Sequence, residues 1–177
     1  MKDYYYLLSA VPKLTLEEET YERIDFDAVF ALITENITVS DGHKLNYLMY
    51  QNDNLNLVSA IARQYRKPVP HHMFHYPSVF DQDTIHDFEK SYVLFPDYMH
   101  DFVEAHRDEF TARSMAFLEQ RLLTGFYREV SQHQDDFIRA YFSFERDLRN
   151  MITALNCRVY GYDTEGQLVG DAYINQQ

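Results

Sequence analysis

The sequence predicts an all-α fold. Apolar residues recur at three- and four-residue intervals along most of its 177 residues, Gly and Pro number only five each, and Asp, Ser and Pro stand where helices start or stop. A chain of this length buries roughly 68–70% of its unfolded surface. Its 46% hydrophobic and 16% aromatic content excludes a disordered chain and points to a packed core.

Residues 4–11, YYYLLSAV, fit a buried strand or the first turns of a helix, and helix is preferred. An exposed connection follows from Pro12 through Arg23. Phe26, Val29, Phe30 and Ile33 then predict a helix capped by Asp25 or Asp27. Ser40 and Asp41 signal the next start, and Leu45, Leu48, Met49, Leu55, Val58 and Ile61 carry that helix to about Tyr65, where Arg66, Lys67, Pro68 and Pro70 end it. Pro68 to Asp83 reads as an ordered loop packed by its aromatics, and Thr84 to Tyr92 as a short helix. A helix begins again after Pro96, with Gly125 expected to break or kink it. From Tyr127 to Arg158 the helical spacing runs on as one span of ~45–50 Å at 1.5 Å per residue. The expected organisation is a first helical unit over 1–67, a Pro/His-rich connection over 68–83, a second helical unit over 84–161, and an irregular or truncated tail over 162–177.

A formal charge of −12 argues against nucleic acid or an anionic lipid surface as the main partner and favours a basic protein surface. Cys157 stands alone, so no internal disulfide forms, and a buried thiol in a reducing, cytoplasmic setting is expected. No apolar run reaches the ~20 residues that span a bilayer. Membrane contact is expected only through another protein.

Sliding the chain by 94 residues pairs Asp53 with Asp147, Asn56 with Asn150, Leu57 with Met151, Ala60 with Ala154 and Ile61 with Leu155. The shared pattern D-x-x-N-[LM]-x-x-A-[IL] puts an Asp, an Asn and a small Ala on one side of a helix. A partly buried Asp or Asn needs partners, and the expected ones are nearby helix ends. Duplication of a helical unit is preferred as the explanation over a chance match between two amphipathic helices.

The second copy, YFSFERDLRNMITALNCRVYG over 141–161, resembles the D-x-x-N-x-x-x-A-L-x-x-R helix of the C/d-subunit family of V-type and A-type rotary ATPases. The first copy, YQNDNLNLVSAIARQYR, resembles another occurrence of that unit, and YYYLLSAV resembles the Tyr-rich start of the family and of an uncharacterised bacterial family associated with V-type ATPases. The resemblance implies an elongated bundle of duplicated helical units, a two-unit relative or fragment of a three-unit fold. It implies a non-catalytic adaptor without cofactor, coupling the central stalk to the proteolipid ring in proton or sodium transport. Asp53, Asn56, Ala60, Asp147, Asn150, Ala154 and Arg158 are its motif residues here, with helix packing as their expected role.

Two clusters could hold other chemistry. His71, His72 and His75 form HHxxH, whose imidazoles could ligate a transition metal in an alternative, enzymatic role. They lack the Glu and the four-residue helical spacing of a zinc protease, so exposed loop histidines are preferred. The pattern D-x-x-H-D-F at Asp83–Phe88 and Asp97–Phe102 resembles part of a di-metal bundle motif, but both copies fall at predicted helix starts, where Asp favours the helix end. An unrelated protein-binding scaffold is the third possibility.

Overall fold

In a computed structural model the described residues are 4–12, 25–65 and 73–170, and they form helices and turns with no strand among them. The α-helices are α1 (Tyr5–Ala10), α2 (Phe26–Asn36), α3 (Val39–Tyr65), α4 (Gln82–His86), α5 (Phe88–Ser91), α6 (Asp97–His106), α7 (Met115–Ser131) and α8 (Asp136–Tyr160). Short 3-10 turns at Tyr92–Leu94 and Arg107–Glu109 follow α5 and α6. No helix of the described residues is long and apolar enough to cross a membrane. The chain divides into two compact units, Met1–Asn46 and Tyr47–Gln177.

In the smaller unit α1 is helical, as its apolar run predicts. Asp25 caps α2, its carboxylate accepting from the Ala28 N–H at 3.1 Å. The start of α3 lies one residue before Ser40, because the Thr38 hydroxyl accepts the Asp41 N–H at 3.1 Å and so serves as the cap. The Tyr4 hydroxyl donates to Asp41 and accepts from the Thr38 N–H. These bonds, from Tyr4 first, then Thr38 and Lys44, hold the Asp41 carboxyl at about 2.

In the larger unit the core joins α3 to α4–α8. Leu57, Ile61, Phe88, Met99, Phe110, Leu118, Leu122, Phe126 and Phe142 are fully buried. The loop before α4 is packed by its aromatics: Phe74 sits 4.8 Å from Tyr76, and Phe80 lies 4.9 Å from Phe95.

The long span expected from Tyr127 to Arg158 is two helices. The chain leaves α7 after Ser131, turns through Gln132 to Asp135, and re-enters helix where the Asp135 carboxylate accepts the N–H groups of Phe137 and Ile138. Apolar spacing misses this turn because Val130, Ile138 and Phe142 keep roughly the same period across it while packing in one core. Gly161, at φ 71°, closes α8 and lets the Tyr162 N–H reach the Cys157 carbonyl at 2.8 Å.

Nor does Gly125 break α7, which runs through it from Met115 to Ser131. A Cβ there would stand 3.4 Å from Tyr98 Cβ, so the glycine serves the close approach of α6. Residues 162–170 are more than an irregular tail. Val169 is buried in the core, and Gln120 Nε2 donates to the Leu168 carbonyl at 2.9 Å.

The Gly125 geometry separates two substitutions. Gly125→Ala meets Tyr98 at ordinary contact distance and gains helix propensity, so it is expected to be neutral or to stabilise by up to ~1 kcal/mol. Gly125→Leu overpacks the same crossing and is expected to cost ~1–3 kcal/mol. Urea unfolding of the two variants measures the difference.

Candidate functional site

The duplicated motif has a geometric counterpart. Asn56 on α3 donates from Nδ2 to the His75 carbonyl at 3.0 Å and accepts the His75 N–H at Oδ1 at 2.8 Å. Asn150 on α8 does the same to Val169, at 2.9 Å in each direction. Both clamps bridge 19 residues. A carboxamide offers one acceptor and one donor side by side, matching the N–H and C=O of a single residue as a neighbouring strand would. Both Asn side chains are buried, so each bond pair replaces water that neither partner could otherwise reach. The expected helix-end partners are therefore replaced by loop backbone: each helix pins the chain that returns across it.

Asp53 belongs to the first clamp. It is fully buried, and its carboxylate accepts the N–H groups of Val79 at 3.0 Å and Phe80 at 3.3 Å. Ser78 Oγ lies 2.6 Å both from Asp53 Oδ1 and from the Phe80 carbonyl oxygen. The Ser78 hydroxyl proton is shared between these two acceptors. Burial in turn pushes the Asp53 carboxyl above the usual carboxylate range, with the three donors opposing it. Asp147 stands in the corresponding place but is exposed, paired with the Arg146 guanidinium at 2.8 Å. The positions matching Ser78, Val79 and Phe80 are 172–174, outside the described residues. Ala60 and Ala154 are half-buried, and Arg158 is exposed.

Several participants escape sequence reasoning. Val169 offers no polar signal, yet the 94-residue shift maps His75 onto it. With the helices placed, the same shift also pairs Tyr47 with Tyr141, Tyr50 with Phe144 and Val58 with Ile152. At Gln51 and Glu145 the two copies meet: the Gln51 carboxamide donates to the Glu145 carboxylate at 2.6 Å, and the two residues stand 94 apart. Glu129, near the end of α7, accepts the Tyr98 N–H at 3.2 Å and so caps α6 from outside; burial raises its carboxyl.

The other candidates are placed differently. His75 is held by its backbone with its ring exposed, and His71 and His72 lie outside the described residues. Among the described residues no three His, Cys, Asp or Glu side chains gather closely enough to hold a metal. Asp83 and Asp97 lie in the first turns of α4 and α6, after Asp81 and Pro96 as caps. His100 stacks on Tyr92 at 5.1 Å. A groove of about 450 Å³ between α6 and α7 is lined by Asp97, Asp101, His106, Arg121, Arg128 and Glu129, mixing both charges along an open surface.

On α8 the clamp side is buried through Ile138, Phe142, Asn150 and Cys157. Its other side carries Phe137, Tyr141, Phe144, Leu148, Met151, Ile152, Leu155 and Val159, all exposed. The helix is thus apolar on two sides, and among the described residues only one of them is covered.

Helix, clamp and returning loop, present twice among the described residues, belong to an all-α protein. The chain belongs to the family described as protein of unknown function (DUF2764), which it matches over residues 1–177. No curated protein and no solved structure matches it.

Asn56→Leu and Asn150→Leu each leave a buried N–H and C=O without partners and are expected to cost about 2–4 kcal/mol in urea unfolding. For Asp53 the folded-state pKa is raised, so its own contribution to stability is fully present below its unfolded value of 3.8 and is lost as pH rises through the folded pKa. Asp53→Asn is expected to remove that slope from a stability-against-pH series, and an unchanged slope would assign it to other groups.

Proposed function

We propose that this chain is a non-catalytic helical adaptor of a rotary ATPase, taking the place that the C/d-subunit family takes between central stalk and proteolipid ring. The carrying observation is on α8. The helix whose Asp147, Asn150, Ala154, Leu155 and Arg158 resemble that family's motif also turns a broad apolar face outward. Monomers rarely leave so much contiguous apolar surface in water, whereas binding surfaces do. Asn150 makes this helix a firm platform by tying its inner side to Val169. The net charge of −12 favours basic protein surfaces and steers association with them. In this role the protein sits at the cytoplasmic face of the membrane through its protein partners.

Co-purification of the full-length chain with central-stalk and proteolipid-ring proteins tests the assignment. Retention at low salt that weakens as salt rises is expected. Failure to retain either set at low salt would remove the proposal.

A further inference from the structure

The two copies of the duplicated helix differ in what covers them, and the covered copy shows what the open one accepts. On α3 the face formed by Asn54, Leu57, Ile61 and Tyr65 lies under α6 and the segment after it. Leu57 and Ile61 are 0% exposed, the Tyr98 hydroxyl donates to Asn54 Oδ1 at 2.8 Å, and the Tyr65 ring stands 5.5 Å from Phe110. The 94-residue shift carries these positions to Leu148, Met151, Leu155 and Val159 on α8, which are 41–74% exposed. One face is a core surface in the first copy and an open surface in the second.

We propose that the outer face of α8 is a docking surface for one amphipathic α-helix of a partner protein, apolar along its seam and edged by Lys or Arg. The proposal rests on the adaptor reading for its purpose, that of holding another protein. Phe137, Tyr141, Phe144, Leu148, Met151 and Leu155 alternate spacings of four and three, the pattern that packs against a single helix by knobs into holes. With side chains of ~150–250 Å² each, the exposed fractions over the whole outer face leave roughly 900 Å², close to the ~800 Å² one partner contributes to a standard interface. Glu145, bonded to Gln51, and Asp147, paired with Arg146, edge the middle of the seam, with Arg149 and Arg158 following toward its C-terminal end. Basic edges on the partner answer the charge of −12 that the chain carries as a whole.

A second copy fits less well. The antiparallel register that pairs all six seam residues brings the two Glu145 side chains to one edge and the two Asp147 side chains to the other, between two chains each of charge −12.

The test uses full-length protein and two labelled synthetic peptides with the same Leu/Phe heptad seam, one flanked by Lys and one by Glu. Fluorescence anisotropy is expected to show the Lys-flanked peptide binding at least ~10-fold more tightly. The double variant Leu148→Glu/Met151→Glu is expected to abolish binding while its circular dichroism stays native, since both side chains are exposed. Equal binding of the two peptides, or binding that survives in the double variant, overturns the proposal. So does sedimentation showing a wild-type dimer that the double variant dissolves, which would assign the face to a second copy. Central-stalk proteins retained equally by wild type and double variant would leave the adaptor reading standing and sink this surface. Peptide binding lost in the double variant, with no stalk protein retained by wild type, would do the reverse.

Discussion

The carboxamide of one asparagine, closed on the backbone of one residue 19 positions later, is the interaction on which the larger unit depends. Each such pair fixes where a returning loop crosses a helix. In the first copy the crossing leads Ser78, Val79 and Phe80 onto Asp53, and from there Asp81 starts α4 and the run of aromatics that fills the core. In the second it brings Val169 into that same core and holds α8 by its inner side. A neutral planar amide suits a buried position better than a charge, because both of its bonds are met by one peptide unit and no counterion is required.

Much of the helical plan is visible in the sequence, because caps and apolar periods are local signals. Asp25 before α2 and Pro96 before α6 stand where chemistry places helix starts. The failures share one cause: they concern what lies across from a residue. Gly125 has the sequence signature of a break, yet Tyr98 on another helix explains it. The turn at 132–135 is hidden because α7 and α8 present apolar residues to one core on both sides of it. The roles of Asn56 and Asn150 follow from the repeat only in part, since His75 and Val169 contribute backbone and their side chains carry no information about it. The open face of α8 is invisible for the opposite reason. An apolar stripe reads as core wherever it occurs, and only the fold shows that Asn150, Phe142 and Cys157 already occupy the covered side.

Buried polar groups and exposed apolar ones divide between the two copies. The first holds a buried acid, Asp53, whose protonation is tied to packing, and it is covered on its apolar face. The second keeps the buried amide but places its acid, Asp147, in water beside Arg146. Both helices carry the clamp, while the faces around it take opposite roles, one facing inward to the core and one outward.

The meeting of Gln51 with Glu145 carries a consequence for how such a chain could diverge. These are the same position in two copies of one unit, placed side by side. Two identical units would set a residue against itself there: two carboxylates would repel, and two carboxamides would form a bond without charge assistance. Joined in one polypeptide, the halves are free to differ, and a donor on one side can meet an anion on the other. A contact that symmetry would forbid becomes available once the repeat is covalent, and it ties the two copies in a defined order, so that which helix is covered and which is open is written into the chain.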